Sequence, residues 1–181
     1  MYDPTALKAL IEKHALKFGQ FQLASGKIGS YYLDCRQVTL HPQGANLIGA
    51  GLLELMGPSL PEAVGGMAIG ADPITGAVIT LAGQRNQNIH GFIVRKEAKG
   101  HGMGRQVEGP VQPGMRAVIV EDVVTSGGSA LQAADAAIAF GLKIDTIMAV
   151  VDRLEGGRET IEARGLKLQT LFTVRDFGIN P

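Results

Sequence analysis

The sequence predicts an α/β fold, a parallel sheet with helices on both faces, with a small appended subdomain over about residues 1–35 and a core over about 36–181. Three observations carry this. From about residue 63 the chain repeats a rhythm of strand, turn and helix. Its strands are short and apolar throughout, as strands buried on both faces are. Residues 128–140 form a helix rich in alanine, with Ala130, Ala133, Ala134, Ala136, Ala137 and Ala139, which permits close packing on a sheet.

The elements follow in order. Asp3-Pro4 reads as a helix cap with proline in the first turn. Leu7, Leu10, Ile11 and Ala15 then share one face of a first helix ending near Gly19. Phe21 and Leu23 alternate with polar residues, Gly26 turns the chain, and Tyr31 to Leu33 form a second short strand. Pro42 opens a helix carrying Leu47, Ile48, Leu52, Leu55 and Met56, and Gly57-Pro58 closes it. Strands are expected at 63–69, 89–94, 117–120 and 144–151, and further helices at 73–84 and 128–140 with Gly141 as the stop. No repeat, low-complexity tract or linker interrupts the chain, so 1–181 reads as a single domain.

Bulk properties exclude several classes. A chain of 181 residues removes roughly 70% of its unfolded surface from water, enough for a core without staples. Lys and Arg number 17, Asp and Glu 17, so no basic excess supports a grip on nucleic acid or an anionic membrane. Cys35 is the sole cysteine, which forbids an internal disulfide and suits a reducing compartment. The N-terminus lacks the apolar stretch of a signal peptide, and no apolar run approaches the ~18 residues of a membrane span. A cytoplasmic protein is expected.

The most informative stretch is Val118 to Ala130. An apolar strand runs into two adjacent carboxylates, Glu121 and Asp122; a small, hydroxylic, glycine-rich turn follows, then a helix. Backbone N–H groups of Thr125, Ser126, Gly127, Gly128 and Ser129 lie where the helix begins and can converge on an anion, helped by the helix dipole. Where strand pairing ends, both acids can turn to one ligand and accept from sugar hydroxyls. The competing reading is an ordinary turn in which Thr125 or Ser126 caps the helix and the acids are solvated. The stretch resembles the signature by which type I phosphoribosyltransferases bind phosphoribosyl pyrophosphate (PRPP). That resemblance implies that Glu121 and Asp122 hold the ribose hydroxyls and Thr125 to Ser129 the 5′-phosphate, with Val123 and Val124 also in the PRPP site.

Other stretches narrow the resemblance to orotate phosphoribosyltransferases. Arg95-Lys-Glu-Ala-Lys-Gly-His-Gly102 is similar to their mobile loop, with Arg95, Lys96, Lys99 and His101 at matching positions. Phe18 to Gly26, followed by Tyr31-Tyr-Leu-Asp34, resembles their N-terminal hood over the base. Asp152-Arg153 matches the arginine that contacts orotate. The basic loop also makes independent sense: Arg95, Lys96, Lys99, His101 and Arg105 face only Glu97 in a chain of zero net charge. Alone it is a solvated basic loop; over departing pyrophosphate it would stabilise charge that grows in the transition state.

What the resemblance implies is specific. Lys99, His101 and Asp122 are the expected catalytic residues, and Arg95, Lys96, Ala71 and Asp72 join the PRPP site. Thr125, Arg153, Lys27 and Tyr32 are the expected orotate contacts. The chain departs from many members at Asp72, in a loop that often carries lysine, and at Ala24, where lysine often precedes Ser-Gly. Lys27 is the nearest substitute for the second, or else an exposed turn lysine. Arg153 reads alternatively as a surface ion pair with Glu155, and one of Tyr31 and Tyr32 as core. Magnesium is the expected cofactor, arriving with PRPP, without direct protein ligands and water-bridged to Glu121 and Asp122. His14, His41 and His90 carry no case, and no Cys/His spacing suggests zinc.

The implied activity is transfer of the phosphoribosyl group of PRPP to orotate in pyrimidine (UMP) biosynthesis, by a homodimer with shared sites. Two alternatives differ in class: a phosphoribosyltransferase for another base, and a non-catalytic PRPP-sensing regulator. The second needs a nucleic-acid-binding surface for which the charge balance leaves little room.

Overall fold

Asp3 and Pro4 start the first helix as their chemistry predicts. In the computed structural model, which describes residues 1–22, 28–97 and 106–180, the Asp3 carboxylate accepts from the Ala6 N–H at 3.0 Å and opens α1 (Pro4–Leu10). The helix tail differs from expectation. A π-helical turn, Ile11–Ala15, follows, and β1 (Leu16–Gln22) begins where the sequence reading still has helix. Leu16, Lys17 and Phe18 pair antiparallel with Leu33, Tyr32 and Tyr31 of β2 (Ile28–Leu33), so strand pairing takes backbone groups that another helical turn would use. β1 and β2 form a two-stranded sheet of their own.

The short α2 (Arg36–Thr39) and the longer α3 (Pro42–Met56) come next. Six strands then build the main sheet: β3 (Ala63–Met67), β4 (His90–Val94), β5 (Val107–Glu108), β6 (Arg116–Val124), β7 (Lys143–Asp152) and β8 (Lys167–Thr173). Their order is β5-β4-β3-β6-β7-β8. All neighbours run parallel except β5, which pairs antiparallel with β4 at the edge. The helices α4 (Asp72–Gln84), α5 (Gly128–Phe140) and α6 (Gly157–Glu162) intervene, and a 3₁₀ turn, Val174–Phe177, follows β8.

Alternate strand residues enter two cores. On one face Leu7, Ile48, Leu52, Ile74 and Val78 meet Val64, Val118, Val120, Met148 and Val150. On the other, Ala130, Ala133, Ala134 and Ala137 of α5 meet Ile119, Ile147, Ala149 and Phe92. Burial on both faces explains the unbroken apolar strands, at roughly 1.5–3 kcal/mol for each buried Ile, Val or Leu. Cys35 is fully buried in the first core, and burial, then the charges of Asp122 and Asp34, push its thiol far above the usual range. No helix among the described residues is long and apolar enough to cross a membrane. Because β3, β6 and β7 run parallel, the turns that leave them gather at one edge of the sheet.

Candidate active site

The acid pair sits where β6 outruns one neighbour. Pairing with β3 stops at Gly65↔Ile119, whereas pairing with β7 continues to Val124↔Asp152. The expectation that pairing as a whole ends at the acids is therefore corrected: only one side opens. On that side the Asp122 N–H donates to Glu121 Oε1 at 3.3 Å, and the Val123 N–H to Asp122 Oδ1 at 2.9 Å. A methyl group placed on Gly70 would lie 3.2 Å from both Glu121 Oε1 and Asp122 Oδ1, so the two carboxylates converge on the turn that leaves β3.

Glu121 is only 7% exposed, and its Oε2 has no hydrogen-bond partner among the described residues. Burial, then the adjacent Asp122 charge, push its carboxyl up to about 8. Asp72 behaves similarly one turn away. It opens α4, its Oδ1 is buried without a partner among the described residues, and burial raises its pKa. Ala71 before it is fully buried and offers no side-chain cap.

Beyond Val124 the chain turns through Thr125 and Ser126 into α5. Gly127, at φ 82, occupies the cap position, with no side-chain hydrogen bond. Neither Thr125 nor Ser126 caps the helix, so the competing sequence reading fails, and the first-turn amides of α5 carry no side-chain partner. Gly128 and Ser129 are exposed there, while Val124 is buried and Val123 half-buried. The turn rests on Gly157, where a methyl group would come within 2.5 Å of Val124 Cγ1 and 2.6 Å of the Thr125 carbonyl.

Arg153 joins this edge through its backbone N–H, which donates to the Val124 carbonyl at 2.9 Å. Its Nε donates to the Tyr31 hydroxyl at 3.0 Å, and its guanidinium carbon lies 4.9 Å from the centre of the Tyr31 ring. Nη2 pairs with Glu155 Oε1 at 2.8 Å, so the expected alternative, an ion pair with Glu155, is present. Tyr31 is buried, and burial is the main cause that raises its pKa. Tyr32 instead stands exposed against Phe21, ring centres 5.7 Å apart.

Of the basic loop, Arg95 pairs with Glu108 at 2.6 Å, and its N–H donates to the Gln106 carbonyl at 2.8 Å. That places Arg95 at the base of the loop, and Lys96 beside it is exposed. Lys99, His101 and Lys27 lie outside the described residues. Among the described residues no group of three or more His, Cys, Asp or Glu side chains can hold a metal ion. Sequence reasoning missed Tyr31 as the partner of Arg153, and missed Gly157 and Arg158 as supports. Arg158 donates to the buried Asp152 carboxylate at 3.2 Å and to the Leu168 carbonyl at 2.9 Å. The only local signal for that support was the Gly156-Gly157-Arg158 run after the strand.

No family profile matches the chain. Among curated proteins, the orotate phosphoribosyltransferase of Rhodopirellula baltica is 57% identical, with 99% of this chain and 96% of the relative covered. A crystal structure of Mycobacterium tuberculosis orotate phosphoribosyltransferase with Fe(III) dicitrate superposes with TM-score 0.87 at 38% identity, covering 97% of this chain and 99% of that one. The same enzyme in complex with PRPP gives TM-score 0.82 at 33% identity, covering 97% and 99%. Identity of this order along whole chains, on the same mostly parallel sheet, has one meaning: the chain belongs to the orotate phosphoribosyltransferase family.

Proposed function

We propose that the protein transfers the phosphoribosyl group of PRPP to orotate, giving orotidine 5′-monophosphate and pyrophosphate in pyrimidine biosynthesis. The observation that carries this reading is the convergence of a carboxylate pair, an uncapped helix N-terminus and Arg153 on one edge of the sheet. The backbone amides from Thr125 to Ser129, in the turn and the start of α5, receive the 5′-phosphate, with Val123 and Val124 shaping the approach. Glu121 and Asp122 accept from the ribose hydroxyls. Arg153 takes the orotate carboxylate, with Thr125, Tyr32 and Lys27 as further contacts. The β1–β2 sheet acts as the hood over the base.

The reaction breaks the bond from ribose C1 to pyrophosphate and forms one from C1 to orotate N1, through an oxocarbenium-like transition state. No side chain forms a covalent intermediate; the protein positions the partners and stabilises charge. Arg95, Lys96, Lys99 and His101 offset the charge that grows on pyrophosphate, which the Ala71–Asp72 turn receives. Asp72 stands where relatives often carry lysine and cannot supply that charge, so the basic loop or a metal carries more of it.

The donor set fits magnesium. Glu121 Oε2 is a buried oxygen without a hydrogen-bond partner among the described residues, and with Asp122 beside it the acid pair suits a cation brought by phosphates and held through water. Bound with PRPP, the ion supplies charge neutralisation at the phosphates. The protein works as a homodimer with shared sites, and a cytoplasmic location suits the substrates. Incubation with PRPP, Mg²⁺ and orotate should deplete orotate absorbance, and adenine, guanine, hypoxanthine or uracil in its place should not react. Turnover of one of those bases with orotate inert would transfer the assignment to that base.

A further inference from the structure

Arg153 is held by a closed network. Nε donates to the Tyr31 hydroxyl at 3.0 Å, that hydroxyl donates to Glu155 Oε1 at 3.4 Å, and the same Oε1 accepts from Arg153 Nη2 at 2.8 Å. One oxygen of Glu155 therefore satisfies both a guanidinium prong and a phenol. The side chains of Arg153 and Glu155 are 16% and 37% exposed. A guanidinium so little exposed is costly to leave unpaired, so an empty site needs a resident anion beside it.

The geometry assigns that part to Glu155. We propose that Glu155 is a stand-in for the substrate: its carboxylate holds the anion position of Arg153 in the ligand-free protein, and the carboxylate of the incoming base displaces it. This rests on the orotate reading given above. The turn that aims Glu155 back at Arg153 is built for the purpose. Leu154 before it has φ 57 and Gly156 after it φ 86, both left-handed, and a side chain such as leucine rarely adopts that conformation. The Leu154 N–H donates to Asp152 Oδ1 at 2.8 Å, and Arg158 Nη2 holds the other oxygen of that fully buried carboxylate. The turn is thus anchored from below, whereas the Glu155 side chain has solvent to move into.

Tyr31 plays the complementary part. It holds Nε and stacks against the guanidinium, so the plane of Arg153 stays set while the Nη groups change partner. Exchange of one carboxylate for another keeps Arg153 paired throughout and leaves net charge in the site unchanged. The arrangement also discriminates: a base without a carboxylate offers nothing to replace Glu155, so the ion pair stays closed against it.

The full-length protein tests this with Glu155→Gln and Glu155→Ala, read by KM for orotate, KM for PRPP and calorimetric affinity for orotate and for its uncharged carboxamide. Removing the competing charge should lower KM and Kd for orotate by roughly three- to tenfold, the factor by which a resident ion pair reduces the competent fraction. KM for PRPP and affinity for the carboxamide should stay within about twofold. Tyr31→Phe should move orotate KM the opposite way, upward, with kcat less affected. Orotate KM unchanged or raised in both Glu155 variants overturns the exchange and makes Glu155 a mere support of Arg153. A wild-type protein inert toward orotate would instead overturn the underlying reading, so the two failures are distinguishable.

Discussion

Arg158 Nη2 lies 3.2 Å from Asp152 Oδ2, and that carboxylate is completely buried beneath the strand-end turn. Arg158→Ala removes the pair and the bond to the Leu168 carbonyl together, leaving the buried carboxyl with the Leu154 N–H alone among the described residues. Loss of a charge-assisted partner to a buried acid should cost about 1.5–3 kcal/mol. Urea unfolding should show the unfolding free energy lower by that amount, as a midpoint that falls with the slope preserved. A midpoint unmoved would mean that Asp152 is stabilised by other groups.

Gly70→Ala should damage the chemistry more than the fold. The new methyl would sit 3.2 Å from both Glu121 Oε1 and Asp122 Oδ1, so one carboxylate must give way. A displacement of a few tenths of an ångström in groups that hold ribose should raise KM for PRPP about tenfold. Thermal stability should change by less than about 1 kcal/mol. Normal PRPP kinetics would show that the acids do not meet the sugar.

The raised Glu121 pKa has a sign that can be measured. In the folded protein the carboxyl titrates near 8, against an ordinary 4.5. Its contribution to stability is complete below about 4.5 and is lost as pH rises through about 8, because the folded state resists the charge. Glu121→Gln, which stays neutral, should therefore gain on the wild type as pH rises from 5 to 8.5, by on the order of 4 kcal/mol. Thermal melts of the ligand-free proteins at matched ionic strength read the difference. Curves that run parallel across that range would reject a displaced Glu121 titration.

Lys99→Ala and Asp122→Asn should each slow turnover by roughly 10²–10³-fold, the scale for losing one transition-state contact. If Lys99 of one subunit serves the Glu121–Ser129 site of its partner, mixing the two inactive proteins under subunit exchange restores activity. Random pairing makes half the dimers mixed, each with one intact site, so recovery approaches roughly a quarter of wild type. Verified exchange without recovery would place each loop over its own site.

The legible part of the site is the part whose chemistry is local in the chain. Glu121, Asp122 and the glycine-rich turn could be read from spacing because strand, acids and helix start follow one another directly. Arg153 was readable because it stands at a strand end. Its environment was not, since Tyr31 reaches it across 122 residues and Glu155 across 124 from Tyr31. The first helix was overrun for a related reason: Leu16 to Phe18 suit either helix or strand, and only pairing with Tyr31 to Leu33 decides. β8 did carry a signal in Leu168 and Phe172, both buried and four residues apart on one face, but a seven-residue strand with Lys167 and Gln169 flanking Leu168 reads weakly. Capping of α5 by Thr125 or Ser126 was the competing reading from residue type, and Gly127, in a left-handed conformation that favours glycine, holds the position instead.

Cys35 gives the protein a property useful beyond catalysis. The one sulfhydryl in the sequence is wholly enclosed, and burial with two nearby negative charges keeps it in the thiol form. Maleimides and other thiolate-seeking reagents should pass it by in the native state. A single cysteine introduced on the exposed rim, at Ser126 or Glu155, would then be labelled against a silent background. Spectroscopic probes of substrate arrival could thus be attached without first rebuilding the core around a replaced cysteine.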